Sequence, residues 1–104
     1  MPMTLPSDDI ILELLPEFVD DWIKQLQMEF HAIVERKSEQ ELYRLGHTLK
    51  GSCLQFGLKE PAALGIQLME CSKVQDWNAA LDLYQPILDM FIEAREILHQ
   101  KFGN

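Results

Sequence analysis

Ser38-Glu39-Gln40-Glu41-Leu42-Tyr43-Arg44-Leu45-Gly46-His47-Thr48-Leu49-Lys50-Gly51-Ser52-Cys53-Leu54-Gln55-Phe56-Gly57 is the stretch from which the rest of the chain is read. Leu42, Leu45, Leu49, Cys53 and Phe56 recur at helical steps and fall within roughly 80° of one face at about 100° per residue. Ser38 with Glu41 three residues later makes a capping box. Gly57 supplies the left-handed residue that closes a helix, so a helix is predicted over 39–56. His47 points about 160° away from the apolar stripe, into solvent. Lys50 and Gly51 follow it by three and four residues and share its side. A glycine in mid-helix costs about 1 kcal/mol relative to alanine. Close approach of another molecule to the backbone beside His47 is a sufficient reason for Gly51.

Working outward, Ser7 is positioned to cap a short first helix through Leu15, and Pro16 suits the first turn of a longer one to Arg36. Phe18, Val19, Trp22, Ile23, Leu26, Phe30, Ile33 and Val34 fall within roughly 160° of that longer helix. Pro61 opens a helix over 60–74 and Asp76 caps a last one over 77–102. The last stripe reads Trp77, Ala80, Leu81, Tyr84, Leu88, Phe91, Leu98 and Phe102, and Pro86 inside it should kink the helix or break one hydrogen bond. Strand signals are absent. The expectation is an all-α antiparallel four-helix bundle with a short additional N-terminal helix laid across one end as a lid. A chain of 104 residues is read as a single domain over 1–104.

The net charge of −8 is unevenly spread. Residues 8–35 carry eight acids and one base, and residues 60–104 seven acids and three bases. Between them, Arg36, Lys37, Arg44, Lys50 and Lys59 oppose only Glu39 and Glu41, leaving +3 around His47. The acidic balance argues against a nucleic-acid footprint, whereas a local positive island suits an anion. No stretch approaches the roughly 20 apolar residues of a membrane helix. Met1-Pro2-Met3-Thr4-Leu5-Pro6 lacks the basic and apolar regions of a signal peptide. Cys53 and Cys71 have no CxxC spacing and read as small packed hydrophobes of a reducing cytoplasm.

Around His47 the apolar residues Tyr43 and Leu54 lie on a side that should be wet. On the following helix Leu64, Leu68 and Cys71 can supply the core face, leaving Ile66 and Met69 elsewhere. Tyr43, Leu54, Ile66 and Met69 thus form a candidate docking patch, with Arg44 and Lys50 at its polar edge. A neutral imidazole is a nucleophile near neutral pH. A phosphoryl group on it would be offset by Lys50 and Arg44 as charge-assisted donors. No phosphate loop and no metal-binding carboxylate cluster is evident, so a partner would have to bring the metal that phosphoryl transfer needs. His31 reads as a surface residue and His99 as partly buried. Glu96-Ile97-Leu98-His99 matches one element of a di-iron bundle, but such sites need two, and no metal is assigned.

His47-Thr48-Leu49-Lys50-Gly51-Ser52-Cys53-Leu54-Gln55-Phe56-Gly57 closely resembles the signature of histidine-containing phosphotransfer domains of two-component phosphorelays. The likeness continues through Leu64, Leu68 and Glu70. It implies that His47 is the phosphoacceptor, Lys50 the stabiliser of its phosphoryl group and Gly51 the clearance for a receiver domain. Cys53 departs from the usual alanine or serine and is still small. Some members carry a glutamine or glutamate on the next helix that bonds the imidazole. Here Met69 holds that register, with Gln67 and Glu70 adjacent, and no such partner is assigned. The implied partners are receiver domains of a hybrid sensor kinase or a response regulator, with Mg²⁺ on the receiver and no cofactor on this chain. A monomeric cytoplasmic phosphocarrier without nucleotide site, nucleic acid or membrane is expected, and the methionine start favours a free-standing protein. The competing reading is an interaction module with the same docking face and no phosphorylation.

Overall fold

Asp8, not Ser7, starts the first helix: its carboxylate accepts from the backbone N–H groups of Ile10 at 2.9 Å and Ile11 at 3.2 Å. The computed structural model describes residues 3–102 and holds four helices: α1 (Asp9–Glu35), α2 (Glu39–Gln55), α3 (Lys59–Val74) and α4 (Trp77–Phe102). Met1 and Pro2, which entered the signal-peptide argument, and Gly103 and Asn104 of the 1–104 span lie outside the described residues. No strand is present among the described residues, and α2 to α4 lie within one residue of their predicted bounds.

The expected short N-terminal helix is corrected. It is not a separate element, because α1 runs unbroken through Pro16. A proline in a helix interior costs about 3 kcal/mol. Leu12 and Leu15, buried on the same stripe as Val19 and Trp22, each stabilise by about 1.5–3 kcal/mol when removed from water. Breaking the helix at Pro16 would turn that pair off the core, so continuity wins. The segment across the end of the helices is instead a strap without regular secondary structure, residues 3–8. Met3 is buried and its N–H donates to Glu93 on α4 at 3.3 Å, while the Thr4 N–H donates to Glu60 on α3 at 3.3 Å.

Burial alternates along the helices as amphipathic stripes should. Leu15, Val19, Leu26 and Phe30 of α1 are fully buried, and Trp22 stacks on Phe91 of α4 with ring centroids 6.1 Å apart. The α4 stripe differs from its prediction. Leu81 and Phe102 are exposed, while Ile87 is fully buried with Phe91, Ala94 and Leu98. The reason is that α4 packs against both α1 and α3, which moves the centre of its apolar face. Pro86 sits inside α4 without ending it.

Three short joins close with left-handed residues. After α2, Gly57 (φ 76°) donates its N–H to Leu54 O at 3.1 Å and Leu58 donates to Cys53 O at 2.8 Å, the paired bonds of a Schellman motif. The same bonds close α1 through Lys37 and α3 through Gln75, at φ 53° and 56°. A side chain in this region is strained by about 1–2 kcal/mol. Lys37→Gly is therefore expected to raise stability by about 0.5–1 kcal/mol after the extra chain entropy of glycine is subtracted. Chemical denaturation reads this as a higher midpoint with an unchanged slope; a lower midpoint would show that the strain is relieved some other way.

The packing is unequal between pairs. α2 lies closely along α3, α1 along α4, and α3 against α4, while α1 and α2 barely touch. Two glycines permit the α2–α3 approach. A Cβ on Gly46 would stand 2.6 Å from the Gly65 carbonyl oxygen, and one on Gly65 would stand 2.8 Å from the Gly46 oxygen and 2.9 Å from Lys50 N. Ser72, the buried polar residue of this seam, donates its hydroxyl to the Glu39 carbonyl at 2.6 Å and ties the end of α3 to the start of α2.

Candidate functional site

The helix that carries His47 begins at its predicted start, though by a simpler device. Ser38 Oγ accepts from Glu41 N at 3.3 Å, but the Ser38 N–H donates to Ile33 O at 3.3 Å and not to the Glu41 carboxylate. That carboxylate meets the Arg36 guanidinium in a forked pair at 3.0 and 3.2 Å, and Arg36, with the Ser38 hydroxyl, holds it below the usual carboxylate range. This is the only salt bridge among the described residues. Arg44 and Lys50 are consequently unpaired, and the positive island keeps its charge where an incoming anion meets it.

His47 is exposed, and among the described residues it has no hydrogen-bond partner. Gln67 and Glu70 on α3 are exposed and do not bond it. One turn earlier, the Tyr43 ring stacks on the imidazole with centroids 6.3 Å apart and 28° between planes. Lys50 is half-buried, with its backbone close to Gly65 of α3 and its ammonium without an ionic partner among the described residues. At Gly51 a Cβ would meet nothing within 4 Å. The packing of this chain therefore gives no reason for glycine at that position.

The docking patch divides in two. Leu54 is 51% exposed, Ile66 44% and Tyr43 37%, and Arg44 is exposed beside them on α2. Met69 is only half-buried, and its Cγ lies 3.0 Å from the place of a Cβ on Gly46. It belongs at least in part to the α2–α3 seam. Two features have little or no trace in the sequence. Gly46 and Gly65 set how closely α2 lies along α3, and the one available signal was a second mid-helix glycine directly before His47. The other is an open cleft of about 350 Å³ between α1 and α2, bordered by Met28, Ala32, Arg44 and Thr48. It follows from the loose approach of those two helices and has no signature in either helix alone.

The two cysteines are packed and unreactive. Burial pushes the Cys53 thiol up to about 12 and raises Cys71 as well, so neither is a ready thiolate near neutral pH. His31 is exposed as expected, edge-on to Tyr84 of α4 at 4.3 Å. His99 is exposed rather than partly buried, because it lies beyond the arc that Leu98 buries against the core. Among the described residues no group of three or more His, Cys, Asp or Glu is placed to hold a metal ion. No helix among them is long and apolar enough to cross a membrane.

What the arrangement offers chemically is an exposed, unpartnered imidazole beside two unpaired cations and a gap in the helix surface. Comparison with known proteins gives one match of the same character: the family model described as the Hpt domain covers residues 10–100. No curated protein and no solved structure matches the chain.

Proposed function

Because the chain belongs to the Hpt domain family, we propose that it is a phosphocarrier in which His47 receives a phosphoryl group from the aspartate of one receiver domain and hands it to another. The observation that carries this reading is the exposure of His47, without a hydrogen bond among the described residues, with Lys50 and Arg44 unpaired beside it and open space at Gly51. A structural histidine would be expected to hydrogen-bond or to be buried.

In the forward step a neutral imidazole nitrogen attacks phosphorus. Its lone pair forms the N–P bond as the P–O bond of the aspartyl phosphate breaks and the carboxylate leaves with that electron pair. Lys50, and Arg44 at the polar edge, offset the charge of the bound phosphoryl group. Mg²⁺ belongs to the receiver in this reading, and this chain contributes the nucleophile and its surroundings, without a cofactor of its own. Gly51 lets the receiver backbone come close, and Leu54, Ile66, Tyr43 and the exposed part of Met69 meet its apolar rim.

The wider reading follows from the same chemistry. The helices form an antiparallel bundle, which joins of two or three residues favour. The chain works as a monomeric cytoplasmic intermediate between a hybrid sensor kinase and a response regulator. Transient exchange calls for a small interface of modest affinity. Incubation with a receiver domain charged from acetyl phosphate and Mg²⁺ tests the reading. The protein should acquire acid-labile, base-stable phosphate at His47. Tight receiver binding with no phosphate on the chain would instead make it an interaction module.

A further inference from the structure

His47 does not stand alone on its surface. Tyr43 lies one turn before it, where helical side chains four apart meet. The two rings are stacked at 6.3 Å, within the range of offset aromatic pairs. From α3, the Lys73 ammonium lies 6.0 Å from the Tyr43 ring centroid, at the limit of a cation–π contact. Lys73 has no salt bridge among the described residues. A cation on one helix thus faces an aromatic ring on the next, and that ring faces the imidazole.

An exposed helical imidazole without a hydrogen bond has two χ1 wells open to it, the third being closed by the preceding turn. Only one of them aims a given nitrogen at a phosphorus held by a docked partner, and in-line attack needs the reacting atoms about 3–3.5 Å apart. We infer that Tyr43 is a positioning residue, whose ring, steadied from α3 by Lys73, holds His47 in the rotamer that transfers the phosphoryl group. The inference rests on the phosphotransfer reading and adds to it. Tyr43 exchanges no proton and touches no reacting atom. The imidazole nitrogen gains the N–P bond, the acyl phosphate P–O bond breaks onto the carboxylate, and the proton on the other imidazole nitrogen stays there. The ring face, rather than the hydroxyl, is what acts.

Two measurements test this on the whole chain. In the free protein, three-bond couplings about χ1 of His47 should report one rotamer in wild type and in Tyr43→Phe, and averaging in Tyr43→Ala. In single-turnover transfer from a receiver domain charged with acetyl phosphate, Tyr43→Ala should lower the saturating rate roughly twofold, since a second well becomes open. Its half-saturating receiver concentration should rise as well, because Tyr43 also lines the docking face, so the saturating rate is the discriminating quantity; Tyr43→Phe should restore most of that rate, and Lys73→Met should reproduce part of the loss. A wild-type saturating rate with a raised half-saturating concentration would make Tyr43 a docking residue only and overturn the proposal. Averaged couplings in wild type would overturn it equally, and an unaltered Lys73→Met would remove the role given to α3. Should wild type itself accept no phosphate, the phosphotransfer reading fails, and the couplings alone then decide whether the stack holds the imidazole.

Discussion

Replacing His47 by glutamine is expected to abolish phosphoryl acceptance while leaving the helical spectrum and the thermal midpoint nearly unchanged. The loss is expected because glutamine keeps the length and polarity of the side chain but has no nucleophilic nitrogen. The fold is spared because His47 is exposed and makes no hydrogen bond among the described residues. A surface substitution of this kind usually changes stability by less than about 0.5 kcal/mol, a few degrees in a chain of this size. His31 and His99 make the experiment discriminating, since both are exposed as well. Acid-labile phosphate that persists on either of them in His47→Gln would reassign the acceptor. Unfolding of the variant would mean that His47 has a structural part the geometry does not reveal.

The second large effect concerns stability. Gly46→Ala should destabilise the protein, although alanine is the better helix former by about 1 kcal/mol. The added Cβ would sit 2.6 Å from the Gly65 carbonyl oxygen and 3.0 Å from Leu68 Cβ. Backbone cannot swing aside as a flexible side chain does, so α2 and α3 must separate along the seam. Overpacking of this kind costs about 1–3 kcal/mol, and looser packing between the parted helices adds to it. The net expectation is a destabilisation of roughly 1–2 kcal/mol, or about 4–16 °C in midpoint at 4–8 °C per kcal/mol. Gly65→Ala should behave alike, because its Cβ would press on Lys50 N at 2.9 Å. Gly51→Ala, five residues along the same helix from Gly46, should go the other way, up to about 1 kcal/mol more stable. Gly51→Gln should stay folded and slow transfer by obstructing the receiver. Helix propensity alone predicts stabilisation at all three glycines, so the sign at Gly46 decides the matter. A Gly46→Ala protein with a raised midpoint would show that the seam gives way easily.

Much of the architecture was legible because its signals are local. The stripe from Leu42 to Cys53, the Ser38 cap, the Gly57 terminator and the Asp76 start each depend on a few adjacent residues, and the structure has helices at those places. Pro16 misled because its local cost is real, while the burial of Leu12 and Leu15 that outweighs it depends on the opposite helices. Leu81 and Phe102 misled for the related reason that α4 serves two neighbours, and a single stripe drawn through one helix does not register that.

At the candidate site the division falls along the same line. That His47 leaves the core stripe, that Lys50 and Gly51 share its side and that a positive island surrounds it could be read directly, since helical period and charge order are properties of one segment. The same segment also carried the family, through the spacing of His47, Lys50, Gly51 and Gly57. Packing between helices is what separates Gly46 from Gly51, alike in sequence but one filled by α3 and the other open. It alone set Lys73 against Tyr43, half-buried Met69 in the seam, and left the cleft between α1 and α2. These depend on which helices approach and how closely, and such distances are fixed by packing between residues far apart in the chain.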